Sequence, residues 1–167
     1  TVSQFGDLEK NGTGTWTVGS SSSPLTNLSS NLSVNVNAGT LKLAGDTSVT
    51  QAQVSIYGGT LQLGIGGTSG WIDGIVVNNG TLAFDRSDTN TFAGNINGTG
   101  TVEQIGTGTT ILTGTSAYTG GTTIAAGTLV GTTASFGTGA IADNAALVLS
   151  QNTDGTLANV VSGSGTL

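Results

Sequence analysis

The chain contains no cysteine, no histidine and no methionine, and it has one proline among 167 residues. Without histidine or cysteine, it lacks the residues for a serine–histidine or cysteine–histidine nucleophile, for a zinc site with the usual ligands and for a disulfide framework. We therefore expect no catalytic residue, no cofactor and no bound metal ion. Aromatic residues make up 5% and hydrophobic residues 35% of the chain, so a thick core of several layers is not expected.

Charge is also scarce, because only 7% of the residues are charged, and the net charge is -6. The three basic residues are Lys10, Lys42 and Arg86. A phosphate backbone or an anionic lipid surface would be repelled, so we expect no nucleic-acid partner. No run of about 18 apolar residues is present, so direct membrane insertion is not expected either. Since the chain begins without the basic and apolar regions of a signal peptide, we expect an extracellular fragment or a part of something longer.

Glycine is abundant, with 29 residues, and it begins a short motif that recurs along the chain. The motif Gly-Thr-Leu-x-apolar occurs as Gly39-Thr-Leu-Lys-Leu43, Gly59-Thr-Leu-Gln-Leu63 and Gly80-Thr-Leu-Ala-Phe84. Most copies are separated by about 20 residues, and a fixed period of that length indicates a solenoid. Looser copies begin at Gly100, Gly127, Ala145 and Gly165.

Each copy alternates apolar and polar residues in the manner of a half-buried strand, so that Leu41 and Leu43 point one way and Thr40 the other. A second alternating run, such as Leu32-Ser-Val-Asn-Val36, precedes most copies, and corners that contain Gly or Asn join the two runs. A self-match aligns residues 6–18 with 100–112 and indicates a third face of the coil. No segment has the sustained apolar spacing of a helix.

These patterns predict an all-β fold, a right-handed parallel β-helix of about 20 residues per coil. The chain is predicted to be a single β-helical fragment over 1–167, with lateral loops near 20–31 and 64–74. An antiparallel sandwich or barrel is the alternative, but it does not account for a corner that returns at a fixed period. The repeated apolar residues are expected to form one interior ladder: Leu41, Leu61, Leu82, Val102, Leu129, Leu147 and Leu167.

The stretch from Gly106 to Val130 is similar to the passenger-associated repeat of bacterial autotransporters. It departs from that repeat at Thr110-Ile-Leu112 and at Ser116-Ala117, and residues 76–94 are similar to another stretch common in such passengers. The resemblance implies a β-helical passenger that a C-terminal β-barrel carries through the outer membrane of a Gram-negative bacterium. That translocator barrel is expected outside this chain. The resemblance also implies an extracellular or cell-surface location.

Five residues are the candidates for contact or chemistry. Asp85, Arg86 and Asp88 form the densest charge cluster; paired carboxylates beside an arginine can act on sugars, but a turn held by an ion pair is the favoured interpretation. Trp71 and Asp73 lie in Gly66-Gly-Thr-Ser-Gly-Trp-Ile-Asp73, whose spacing departs from that of calcium-binding repeats. A lateral loop is therefore expected there, in which Trp71 closes over the rod or contacts another molecule.

Two functions follow from this composition. The first is structural: a stalk or contact surface of an adhesin, which associates with copies of itself or binds a host or surface polysaccharide or protein. The second is a β-helical polysaccharide-degrading enzyme, which needs clustered acids and bases. Since only three basic residues exist and they are far apart in sequence, we expect that the protein is not an enzyme.

Overall fold

The computed structural model describes residues 6–22, 32–46 and 52–167 as a solenoid of parallel strands. It has about six turns of roughly 20 residues each, and the described residues contain no helix. The strands are β1 (Asp7–Lys10), β2 (Thr15–Val18), β3 (Ser33–Val36), β4 (Thr40–Leu43), β5 (Ala52–Ile56), β6 (Thr60–Leu63), β7 (Gly74–Asn78), β8 (Thr81–Phe84), β9 (Thr89–Phe92), β10 (Ile96–Asn97), β11 (Thr101–Gln104), β12 (Thr109–Leu112), β13 (Thr122–Ile124), β14 (Thr128–Gly131), β15 (Ile141–Asp143), β16 (Ala146–Leu149) and β17 (Val161–Ser162).

The strands form three sheets that run along the axis of the solenoid. The first sheet has the order β1-β3-β5-β7-β10, the central sheet β2-β4-β6-β8-β11-β13-β15-β17 and the third sheet β9-β12-β14-β16. Every pairing between these strands is parallel. The parallel solenoid predicted from the repeat is therefore confirmed. An antiparallel sandwich or barrel is excluded, because hairpins would pair consecutive strands in opposite directions.

The register of the central sheet stacks like residues on like. Leu41 pairs with Leu61, Leu61 with Leu82, and Leu82 with Val102, and all four side chains are fully buried. Burial of one such side chain stabilises the fold by about 1.5–3 kcal/mol. The core is therefore a narrow column of aliphatic layers, which agrees with the low hydrophobic content of the chain.

The prediction of a single leucine ladder is wrong beyond Val102. Val102 pairs with Thr122 in the central sheet, whereas Leu129 lies between Thr110 and Leu147 in the third sheet. The Gly-Thr-Leu motif therefore moves from one face to the next where the step between copies lengthens, between Gly100 and Gly127. Each coil has more than one corner that is followed by a strand with buried side chains. The additional residues of the longer step therefore place the motif at the next corner of the coil.

The two halves of the self-match show the same change of face. Strands β1 and β2 lie in the first and central sheets, but the matching strands β11 and β12 lie in the central and third sheets. The local pattern of two strands and a corner is thus independent of the face that carries it.

Buried polar side chains satisfy the carbonyl groups of the corners. The ammonium of Lys10, which has no exposed surface, donates to the carbonyl oxygens of Asn11 (2.8 Å), Gly12 (2.6 Å) and Ala38 (3.2 Å). Gln104 occupies the matching position of the later copy, and its Nε2 donates to the carbonyl oxygen of Gly106 at 2.9 Å. Such donors are needed because a buried carbonyl without a partner costs about 1–3 kcal/mol.

Stacked glycines allow adjacent coils to approach closely at the corners. A Cβ added to Gly80 would overlap the carbonyl oxygen of Gly59, and one added to Gly100 would overlap that of Gly80. Gly39 in the same column also has a positive φ of 68°, which L-residues with side chains rarely adopt. The glycines of these successive Gly-Thr-Leu copies are therefore required by the close packing of adjacent backbones.

Candidate functional site

The charge cluster after β8 is held in one place by Arg86. Its Nε donates to Asp88 Oδ1 at 2.9 Å, and its Nη2 donates to Asp88 Oδ2 at 2.9 Å, so the pair is bidentate. Its Nη1 donates to Asp46 Oδ1 at 3.2 Å, and Nη2 also donates to the carbonyl oxygen of Thr68. We call this set (Arg86, Asp46, Asp88 and the carbonyl of Thr68) the Arg86 clamp. It connects the end of one coil with residues of the two coils before it.

The charges of the clamp shift one another's titration. Burial acts to lower the pKa of Arg86, but the hydrogen bonds and charges of Asp88 and Asp46 outweigh it and raise that pKa. The hydrogen bond from Arg86 lowers the pKa of Asp88 below its usual value. Arg86 and Asp88 are therefore both charged at neutral pH, which is the state of a structural ion pair rather than of a proton donor.

Trp71 lies at the edge of the clamp. Its backbone forms a parallel bridge with Asp46, and its indole Nε1 donates to the carbonyl oxygen of Thr91 at 3.1 Å. A shallow pocket of about 310 Å³ is lined by Asp46, Trp71, Arg86, Asn90 and Thr91. The indole thus lies against the rod and is anchored to a strand of the third sheet.

The structure does not bring Asp85 and Asp73 into this cluster. Asp85 Oδ2 instead accepts a hydrogen bond at 2.8 Å from Nε2 of Gln62, a buried residue of β6. Asp73 is the last residue of the lateral segment 64–73 between β6 and β7, and its carbonyl oxygen accepts from the amide of Ala52. Of the five predicted site residues, Trp71, Arg86 and Asp88 therefore lie together, while Asp73 and Asp85 lie apart from them. The other loop predicted, near 20–31, falls largely on residues 23–31, which are outside the described residues.

Asp46 and Thr68 are the clamp residues that sequence reasoning missed. Asp46 precedes Arg86 by 40 residues, which is two coil lengths. That offset is the signal that identifies it, because residues separated by whole coils lie above one another in a solenoid.

A second concave surface lies on the first sheet, beside Asp73. Its volume is about 650 Å³, and its apolar part is formed by Ile75 and Val77, which are 59% and 44% exposed. Gln53, Ser55 and Asn95 contribute polar groups to the same groove. This groove combines an apolar floor with neutral amides and one carboxylate.

The clamp has little capacity for chemistry. All three nitrogens of the Arg86 guanidinium are engaged, and the carboxylates of Asp46 and Asp88 are both bound to it. In the part of the chain that the structure describes, no group of three or more Asp, Glu, His or Cys residues is placed to hold a metal ion. Over the same residues, no helix has the length and hydropathy that crossing a membrane requires. The arrangement is that of a structural tie between coils.

Comparison with known proteins identifies the repeats. The passenger-associated-transport-repeat family matches residues 8–30, 36–63 and 102–130. The adhesin BmaC autotransporter of Brucella suis biovar 1 (strain 1330) is 58% identical over 48 residues, which are 29% of this chain and 1% of that protein. The chain thus spans about 1% of the length of this curated relative. No solved structure matches the chain. The chain therefore carries passenger-associated transport repeats, the repeats of autotransporter passengers.

Proposed function

We propose that this chain is a stiff spacer and contact segment of an adhesin, displayed on the surface of a Gram-negative bacterium. One observation carries the proposal: the central sheet continues through eight strands, from β2 to β17, in a single parallel stack. Backbone hydrogen bonds then run along the axis at every layer, so the segment resists bending more than a flexible linker does. A rod of this kind holds whatever lies beyond it at a fixed distance from the cell.

The relative supports the adhesive part of the proposal. BmaC is named an adhesin autotransporter, and this chain resembles a small part of it. Export through the outer membrane would depend on a C-terminal translocator barrel outside this chain. The passenger repeats support the same location, because a passenger is the exported part of such a protein.

A polysaccharide-degrading activity has less support from the geometry. An acid and a base that act on a glycosidic bond need carboxyl groups that are free to exchange protons with the substrate. Asp88 is held by Arg86, and Asp85 accepts from Gln62, so neither carboxylate of the predicted cluster has this freedom. We therefore propose a role without catalysis.

The experiment is a pair of deletions in the full-length protein displayed on bacteria. The first removes residues 6–167, and we expect adhesion or clumping of the cells to fall. The second removes only residues 81–100, so that Thr101 follows Gly80. Since Thr81 pairs with Thr101, this shortens the rod by one coil and preserves the register. The shortened protein should remain displayed and adhesive. Unchanged adhesion after the larger deletion, with equal display, would contradict the proposal.

A further inference from the structure

The groove on the first sheet is formed by side chains that point away from the core. They make two columns, each with an aliphatic residue between two hydrogen-bonding residues: Gln53, Ile75 and Asn95 in one column, and Ser55, Val77 and Asn97 in the other. All six are exposed or half-buried, whereas the alternate residues of the same strands, Val54, Val76 and Ile96, are buried. The whole outer surface of these layers is therefore open to a ligand.

Small residues leave space beside the aliphatic pair. Ala52 pairs with Gly74, and a Cβ added to Gly94 in the next layer would overlap the carbonyl oxygen of Gly74. Asp73 stands at the edge of this space, and its position is fixed because its carbonyl oxygen accepts from the amide of Ala52 at 2.9 Å. Among the described residues, the carboxylate of Asp73 has no hydrogen-bond or ion-pair partner. It is therefore able to accept hydrogen bonds from a ligand.

The charge of the groove disfavours an anionic ligand. Asp73 is the one charged residue among the described residues that line it, and the chain as a whole has a net charge of -6. The basic residues lie elsewhere, since Lys10 is buried, Lys42 belongs to the central sheet and Arg86 is engaged in the clamp. A sulfated or sialylated chain is therefore repelled from this surface.

The geometry of the groove also disfavours a protein or an extended peptide. A peptide that adds to a sheet pairs with the free backbone of an edge strand, but the floor of the groove is the face of β5, β7 and β10, whose backbones already pair with each other. Protein interfaces use about 20–30 residues a side and are anchored by Trp, Tyr and Arg. The described residues that line this groove number eleven, and none is of those three types.

We propose that this groove binds a neutral polysaccharide chain. A pyranose ring has a face of C–H groups, which packs on Ile75 and Val77, two residues about 6.6 Å apart along one strand. The hydroxyls at the edge of the ring both donate and accept hydrogen bonds, as do the amides and the hydroxyl that flank the aliphatic pair. Asp73 accepts from sugar hydroxyls through charge-assisted hydrogen bonds. The volume of about 650 Å³ lies within the usual range for such sites, which is about 300–1,000 Å³.

The groove is ordered before any ligand arrives. Ile75 and Val77 are β-branched, so their side chains have few rotamers to lose. Asn95 Oδ1 accepts from the amide of Thr115 at 2.9 Å, which fixes this side chain and leaves its Nδ2 to donate to a ligand. Because little conformational entropy is lost on binding, a few hydrogen bonds and a small apolar floor suffice for a weak, specific site.

This inference rests on the proposed function and deepens it, because it assigns the contact of the adhesin segment to one groove and the partner to a neutral glycan. A single site of this size binds weakly. Many copies on one cell, facing a surface that displays the same glycan repeatedly, act together.

The first experiment identifies the class of ligand. The purified full-length passenger is applied to a printed array of neutral, sialylated and sulfated oligosaccharides. Immobilised poly-lysine is included, because a cationic peptide is the other ligand that Asp73 attracts. We expect binding to neutral glycans, and little binding to the anionic glycans or to poly-lysine.

The second experiment locates the site with the neutral glycan that binds the parent protein most strongly. Ile75→Ser removes half of the apolar floor, and Asp73→Asn removes the charge of the acceptor without changing its shape. Each should weaken binding at least about tenfold. Ile65→Ser, at an isoleucine that is 52% exposed in the lateral segment, and Asp154→Asn, in an exposed segment, should bind like the parent protein. The melting temperatures should all agree, since the side chain changed at Ile75 is itself 59% exposed.

Three results would overturn the groove assignment: no neutral glycan bound, a preference for anionic glycans or poly-lysine, or groove variants that bind like their matched controls. If the groove variants lose glycan binding but deletion of residues 6–167 leaves adhesion unchanged, the proposed function fails and the groove assignment stands. If adhesion needs the segment but the groove variants bind glycan and adhere like the parent protein, the groove assignment alone fails.

Discussion

Arg86 Nη1 and Asp46 Oδ1 lie 3.2 Å apart, although the two residues are separated by two coils of the chain. The bidentate contact of Arg86 with Asp88 fixes the plane of the guanidinium, and the contact with the carbonyl of Thr68 fixes the lateral segment against it. One side chain therefore holds three consecutive coils in register.

Replacement of Arg86 by alanine should destabilise this part of the rod. Removal of the guanidinium leaves two carboxylates without their partner, and we expect a loss of about 1–3 kcal/mol in the free energy of unfolding. The expected loss in the free energy of unfolding is smaller than for a fully buried ion pair, because the side chain of Asp46 is 52% exposed. Urea unfolding measures the loss of stability. Faster amide hydrogen exchange in residues 64–73 would show that the lateral segment is the part that is destabilised. Arg86→Lys should recover only part of it, since an ammonium cannot make the bidentate contact. Equal stability of Arg86→Ala and the parent protein would show that the clamp is dispensable.

The clamp should weaken in acid. The hydrogen bond from Arg86 lowers the pKa of Asp88 in the folded chain, so Asp88 contributes stability above its unfolded pKa of about 3.9. That contribution is lost as the pH falls through the lowered, folded value. In a Trp16→Phe background, the fluorescence of Trp71 reports the urea midpoint as a function of pH. Asp88→Asn should be less stable than its parent at pH 7, and the difference should vanish in acid. Asp154→Asn, at an exposed position, is the control, and a difference that is constant with pH would contradict the assignment.

The glycine column should not tolerate a methyl group. Gly80→Ala places a Cβ against the carbonyl oxygen of Gly59 and the side chain of Ile56, and the backbone must move apart. Overpacking of this kind costs about 1–3 kcal/mol. Gly67→Ala is a matched control, since a Cβ there meets no atom within 4 Å. Thermal unfolding should give a lower melting temperature for Gly80→Ala than for Gly67→Ala. Equal melting temperatures would show that the backbone at the corner can move to accept the methyl group.

Tyr118 should titrate far above an ordinary tyrosine. Burial raises its pKa to about 12, and the hydrogen bond with Thr122 Oγ1 at 2.6 Å offsets only part of that shift. An unfolded tyrosine ionises at about pH 10, so the unfolded chain gains charge first and the stability falls as the pH rises from about 10 towards 12. Absorbance at 295 nm should show a late ionisation step that Tyr118→Phe removes and Tyr57→Phe retains. Loss of the late step in Tyr57→Phe instead would reverse the assignment.

The sequence predicts the candidate site only in part. Arg86 and Asp88 are near neighbours, so their pairing follows from local geometry. Asp46 enters the site because coils of about 20 residues place it two layers below Arg86, a relation that no local pattern shows. Asp85 is adjacent to Arg86 in sequence, yet its carboxylate accepts a hydrogen bond from Gln62 and takes no part in the clamp.

The sequence by itself determined the period, the strands and the corners. The strands depend on the alternation of apolar and polar residues, and the corners depend on glycine. Both are local patterns of a few residues, and their repetition along the chain gives the period. The tertiary structure alone decided which strands share a sheet: Leu82 and Leu129 follow the same motif but belong to different faces. Which face a strand joins depends on how many corners the chain has turned since the layer below. The number of corners adds up over whole coils. It is therefore fixed only when strands that are far apart in sequence pair with each other in the folded chain.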